Sequence, residues 1–142
     1  MSNKNGFTLL EMLIVLVIWS VLILFVAPIN FTYLEKEQEK RFLETLEFDI
    51  LYIQNLSTVT KEEVELVIYK DNYAIQKGYS GRKLAVRDIP PGWDIPNRLF
   101  NTISFDGNGR IKQPGHLIIR TKHSEYKMIF PFGKGRCYVV EQ

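Results

Sequence analysis

Gly6-Phe7-Thr8-Leu9-Leu10-Glu11-Met12-Leu13 opens an apolar run that continues to Ala27, about 21 residues from Phe7 broken only by Thr8, Glu11 and Ser20. As a helix, that length spans a hydrocarbon layer of roughly 30 Å. Lys4 precedes the run and no cation follows it until Lys36, a bias that sets the N-terminus inside and the rest of the chain outside. Glu11 conflicts with its surroundings. A carboxylate in a membrane span costs a few kcal/mol (roughly 2.5–3.5 on insertion scales), so it either serves a function or lies close enough to the interface to snorkel. Pro28 follows the run, removes one helical hydrogen bond and clashes with the preceding turn, which predicts a bend or local melting there.

Beyond the run the periodicity changes. Leu34, Phe42, Leu46, Ile50, Ile53 and Leu56 recur at threes and fours among Glu, Lys and Gln, which predicts an amphipathic helix over 31–57. Joined to the apolar run it makes one helix of about 50 residues, roughly 75 Å long. A polar break at Ser57 to Glu63 precedes strand-like segments at 64–69, 73–76, 102–105, 116–121, 126–130 and 136–140, while Arg87 to Arg98 reads as a loop because its prolines forbid a regular ladder. The expected fold class is α+β, a long helix packed on one antiparallel sheet over 64–141.

The N-terminal segment resembles the signature of type IV pilins and pseudopilins. A short basic leader, a glycine, a phenylalanine, a carboxylate four residues after it and an unbroken apolar run coincide at Lys4, Gly6, Phe7 and Glu11. The resemblance implies a prepilin peptidase that cuts between Gly6 and Phe7 and methylates the new Phe7 amine. Glycine suits such a cut, since a backbone without a side chain lies close in a protease groove. The resemblance further implies that Glu11 pairs with the Phe7 amine of a neighbouring subunit, and that Pro28 marks the place where many pilin helices break. A cleavable secretory signal fits less well, because its apolar region is shorter and ends in small residues.

Ile103-Ser104-Phe105-Asp106-Gly107-Asn108-Gly109-Arg110-Ile111, then Pro114-Gly115 and Gly133-Lys134-Gly135-Arg136, are similar to the second half of H-type minor pseudopilins and of ComGD-type competence minor pilins of Gram-positive bacteria. The expected organisation is therefore a leader at 1–6, a transmembrane and filament-core helix at 7–30, and an extracytoplasmic head at 31–142. The function implied is that of a minor pilin of a competence pilus, set at filament initiation or the tip and used to take up extracellular DNA. A minor pseudopilin of a type II secretion system is the alternative. Partners so implied are other major and minor pilins, the prepilin peptidase, the assembly platform and the membrane, with location first in the membrane and then on the cell surface.

Composition supports this division and excludes little else. The 142 residues carry 18 Lys and Arg against 16 Asp and Glu, too balanced for a generic polyanion binder. The charges are unevenly placed, because the last 45 residues hold Arg98, Arg110, Lys112, Arg120, Lys122, Lys127, Lys134 and Arg136 against Asp106, Glu125 and Glu141. Three readings of those bases stand side by side: solvated strand faces, contact with acidic helices of other pilins, and contact with DNA. One cysteine, Cys137, allows no internal disulfide, and two histidines make no metal-ligand pattern, so no cofactor and no catalytic residue is assigned. Asp106-Gly107-Asn108-Gly109 reads as a hairpin turn, since an EF-hand loop needs further acidic oxygens after it. Cys137 reads as a small apolar residue, and Trp93 as a plug over the sheet.

Overall fold

A computed structural model of the chain describes residues 7–78, 81–96, 101–133 and 135–142, apart from the side chains of 26–32. Helix α1 (Leu9–Thr60) is followed by β1 (Val64–Ile68), β2 (Asn72–Lys77), β3 (Arg82–Asp88), β4 (Thr102–Phe105), β5 (Gly115–Arg120), β6 (Glu125–Phe130) and β7 (Tyr138–Glu141). The architecture is α+β, with all strand pairs antiparallel. The chain divides into two compact units, Met1–Lys40 and Arg41–Gln142.

Within the second unit the strands form two sheets, ordered β3-β2-β1-β4 and β5-β6-β7, which corrects the expectation of a single sheet. The chain turns back after β4, but only Phe105 and Ile111 pair there, as an isolated bridge. Pro114 then removes a ladder donor immediately before β5. A new ladder therefore begins with β5, and the segment after β3 meets it at the backbone, where the Asp94 and Arg120 N–H groups each donate to the other's carbonyl at 2.9 and 2.8 Å. The loop read over 87–98 is shorter at its start, because Arg87 and Asp88 belong to β3.

The helix supplies one side of the core. Leu43, Leu46, Ile50 and Ile53 are buried against Val64, Leu66, Tyr73, Ile75, Ile103, Leu117 and Met128, their alternating spacing of three and four keeping them on one stripe. Each such side chain contributes roughly 1.5–3 kcal/mol when fully removed from water. Across the first sheet Leu66 is flanked by Ile75 and Ile103 in register. Trp93 is half-buried against this core, edge-on to Phe42 with centroids 5.0 Å apart.

Two polar attachments fix the helix to the strands. Asp49 is buried on α1, and it accepts from Tyr73 Oη at 2.8 Å, from Arg87 Nε at 2.5 Å and from Arg87 Nη2 at 3.1 Å. One carboxylate thus ties β2 and β3 to the helix through a forked, charge-assisted pair. Burial, then the bond to Asp49, raises the Tyr73 phenol well above its ordinary value of 10.0. The second attachment is at the helix end, where Lys61 takes a left-handed φ of 58° and stops α1. There Gln54 Nε2 donates to the Gly109 carbonyl at 2.9 Å, Lys61 Nζ donates to the Gly107 carbonyl at 3.2 Å, and Lys112 pairs with Glu63 at 2.6 Å.

The turn gripped in this way is a reversal built on glycine. Gly109 has a φ of +74°, and a Cβ on it would lie 2.5 Å from Thr58 Oγ1. Its N–H donates to the Asp106 carbonyl at 2.8 Å, while the N–H groups of Asn108 and Arg110 both donate to Asp106 Oδ1 at 2.9 Å. Those donors, that of Arg110 foremost, hold the Asp106 carboxyl below its usual range. Asp106 is occupied by its own turn. Among the described residues no group of three or more His, Cys, Asp or Glu is placed to hold a metal ion.

Candidate functional site

In the first unit the described helix starts at a defined residue. The Thr8 carbonyl accepts from the Met12 N–H at 3.2 Å, and Thr8 Oγ1 accepts from the Glu11 N–H at 3.3 Å. Thr8 is therefore the N-cap and Glu11 the third helical residue, the spacing of a capping box. A carboxylate in the first turn also meets the positive end of the helix dipole, worth about 0.3–1 kcal/mol. Phe7 lies just outside the helix and Glu11 is exposed, so the aromatic and the carboxylate sit at the same helix start. The Thr8-x-x-Glu11 spacing was available in the sequence as a cap signal, but the apolar run around it drew the reading toward the membrane.

Every described residue from Phe7 to Phe25 is exposed, including Trp19 and nearly all of the aliphatic side chains. A surface so apolar is unstable in water and requires a covering phase or partner. Among the described residues no helix is long and apolar enough to cross a membrane. The expected span 7–30 includes positions 26–30, whose side chains lie outside those described. The helical backbone continues through Pro28, whose side chain is in the same group, and Gly6 also lies outside the described residues.

Residues 1–27 match the prokaryotic N-terminal methylation motif. No curated protein and no solved structure matches the chain. The motif is the signal of type IV pilin-like proteins, and it implies processing by a prepilin peptidase, membrane anchoring, assembly with other pilins and a final place on a pilus or the cell surface. It covers Phe7, Thr8 and Glu11, the three residues that the structure gathers at the helix start. Within the matched residues, Thr8 is the one that fixes where the helix begins.

The basic residues of the second unit do not form one surface. Arg110 pairs with Asp106 at 3.3 Å and Lys112 with Glu63 at 2.6 Å, both beside the end of α1, while Arg120 pairs with Glu125 at 2.7 Å on the second sheet. Lys122 is exposed and has an intramolecular partner. Lys127 and Arg136 carry no ion pair among the described residues, and Lys134 lies outside them. Intramolecular contacts thus engage Arg110, Lys112, Arg120 and Lys122, while Lys127 and Arg136 carry none among the described residues of this C-terminal basic group.

Cys137 lies immediately before β7, half-buried against the core. Burial, reinforced by the negative charge of Glu47, pushes its thiol up from 9.0 to about 11. Such a thiol is a poor nucleophile at neutral pH. The native state therefore keeps a proton on Cys137, and on Tyr73 above pH 10, where the unfolded chain has lost it. That stability is complete below about pH 9 and falls as the pH rises through 11. Urea midpoints of the full chain in detergent are expected to fall between pH 9 and 11, and Cys137→Ala is expected to flatten the first part of the decline. A midpoint that stays constant over this window contradicts the assignment.

Proposed function

We propose that this chain is a minor pilin of a competence type IV pilus or pseudopilus, assembled at filament initiation or the tip and contributing to uptake of extracellular DNA. The observation that carries the reading is the methylation motif over 1–27 coinciding with a capped helix start at Thr8 and Glu11. Residues 1–6 are then the leader, 7–30 the membrane-anchored and later filament-core helix, and 31–142 the extracytoplasmic head. Glu11 pairs with the Phe7 amine of the next subunit, and Pro28 loosens the helix below the head. The competence branch is supported by the ISFDGNGRI and GKGR segments at 103–111 and 133–136. DNA contact, where this subunit makes it, falls to Lys127, Arg136 and Lys134, and the other bases serve to hold the head together.

Intact-mass measurement of the chain from cells with an active prepilin peptidase is expected to show a product beginning at N-methylated Phe7. Gly6→Leu is expected to leave the full-length chain in the membrane, because a branched side chain at that position keeps the backbone out of the protease groove. An uncut Met1 terminus on the wild-type chain overturns the proposal. Loss of transformation in a deletion strain supports the competence branch, whereas intact transformation with failed export of folded proteins assigns the chain to a secretion filament.

A further inference from the structure

The turn between β6 and β7 carries the most exposed large apolar side chain among the described residues, Phe132, at 88%. A single exposed ring is ordinary on a protein surface. This one is set apart by what holds it and by what stands beside it. Pro131 precedes it, the Gly133 carbonyl accepts from the Ile111 N–H at 3.3 Å, and Gly135 passes so close that a Cβ there would lie 2.6 Å from Pro131 Cγ. The backbone is thus tied on both sides of the ring, and little further ordering is needed when a ligand meets it.

Beside the turn, Met128 and Phe130 are buried, so Lys127 and Ile129 of β6 face outward. The register sets Tyr138 against Ile129 and Val140 against Lys127 on that face, and Tyr138 is 49% exposed. β5 adds His116, Ile118 and Arg120, with Arg120 paired to Glu125. The surface is therefore polar, with half-buried isoleucines between its charges. His116 has an intramolecular partner. The half-buried Lys127 and the exposed Arg136, across the turn from Phe132, carry no ion pair among the described residues. From Lys127 to Phe132 the strand and turn cover roughly 16 Å.

We infer that this end of the second sheet binds single-stranded DNA, with an unpaired base stacked on Phe132 and the neighbouring phosphates met by Arg136 and Lys127. The inference rests on the proposed role in DNA uptake and deepens it by naming the form of DNA and the residue that takes the base. Two cations give only a weak grip on a duplex, whose bases are already stacked on one another and offer the ring no face. An unpaired base, in a strand, a gap or a frayed end, presents its π-face to any aromatic, and stacking then adds affinity without sequence preference. Tyr138 supplies a second platform on the path from Phe132 to Lys127. A lipid surface is a poorer occupant, because one ring among proline, glycine and arginine has little apolar area to bury there.

Fluorescence anisotropy with the purified full-length chain in detergent tests the inference on three labelled probes of equal length: a thymidine strand, an abasic strand and a hairpin-capped duplex. The thymidine strand is expected to bind about tenfold more tightly than either of the others. Phe132→Ala is expected to remove about tenfold of that affinity while leaving the duplex unchanged, and Phe132→Trp to keep it. Because the ring lies outside the core, the alanine variant keeps its fold. Arg136→Gln is expected to weaken binding of the strand and to lower its salt slope by about 0.7. Equal binding of the thymidine and abasic strands overturns the inference, as does an alanine variant that binds the strand like the wild type. Phe132-dependent capture of phosphatidylglycerol vesicles or of another pilin, without binding of the strand, overturns it too. Each of these results leaves the pilin reading in place, since that reading stands on the mass of the N-terminus and on entry into filaments.

Discussion

A chain carrying Glu11→Val is expected to be cut after Gly6 and to stay in the membrane, yet to fall roughly 100-fold in sheared filaments, the factor that corresponds to a membrane carboxylate costing about 2.5–3.5 kcal/mol when unpaired. The same substitution removes a capping-box side chain, so the valine alone does not separate loss of charge from a frayed helix start. Glu11→Gln does separate them, because glutamine closes a capping box as glutamate does. If charge pairing with the Phe7 amine drives assembly, the glutamine variant behaves like the valine one. If Glu11 acts only on the helix start, the glutamine variant assembles normally. Thr8→Val, which removes the N-cap oxygen seen on the Glu11 N–H, reports the helix-start contribution by itself. Filament content measured by immunoblot after shearing decides among these outcomes.

Asp49→Ala is expected to destabilise the head by about 3 kcal/mol, near the lower end for breaking a buried charge pair because the Arg87 side chain keeps 48% of its exposure. For a unit of this size that is a fall in Tm of about 15 °C. The loss has two sources. Arg87 forfeits a forked partner, and the Tyr73 hydroxyl is left in the core without its acceptor. Arg87→Met is expected to cost a similar amount, since it strands the Asp49 carboxylate. The double variant should cost less than the two singles added, by at least about 1 kcal/mol, because each single already removes the shared interaction. Additive losses in thermal melts of the full chain in detergent contradict the lock. Processing after Gly6 is expected to be unchanged in all three, since the proposed cut lies in the other unit.

Regular patterns were readable from the chain, and irregular ones were not. The apolar run and the Leu46-Ile50-Ile53 stripe announce α1, and the described helix ends at Thr60, three residues past the expected 57. β1, β2, β4, β5 and β6 begin within a residue of where β-rich composition placed them, and β7 begins two residues later. β3 was missed because Arg82, Lys83, Arg87 and Asp88 give no alternation, and an edge strand with nearly every residue exposed needs none. Nothing in the sequence singles out Asp49. Its partners lie 24 and 38 residues away, a separation that helical periodicity does not encode. The basic C-terminal segment was legible as composition only, because pairing with Asp106, Glu63 and Glu125 depends on which turns and strands meet.

The attachments between α1 and the strands also have a mechanical meaning. A pull along the helix axis enters the head between Asp49 and Lys61, where the Arg87 fork, the Gln54 bond to Gly109 and the Lys61 bond to Gly107 tie the same rod to separate strands and turns. Tethers arranged side by side share a load, so the rod slides only when they fail together, and resistance to force then follows the unfolding rate and not the equilibrium stability. Gly109 has a part in this out of proportion to its size. Its missing side chain lets the turn seat against Thr58, and any residue with a Cβ there lifts one anchor off the rod before tension is applied.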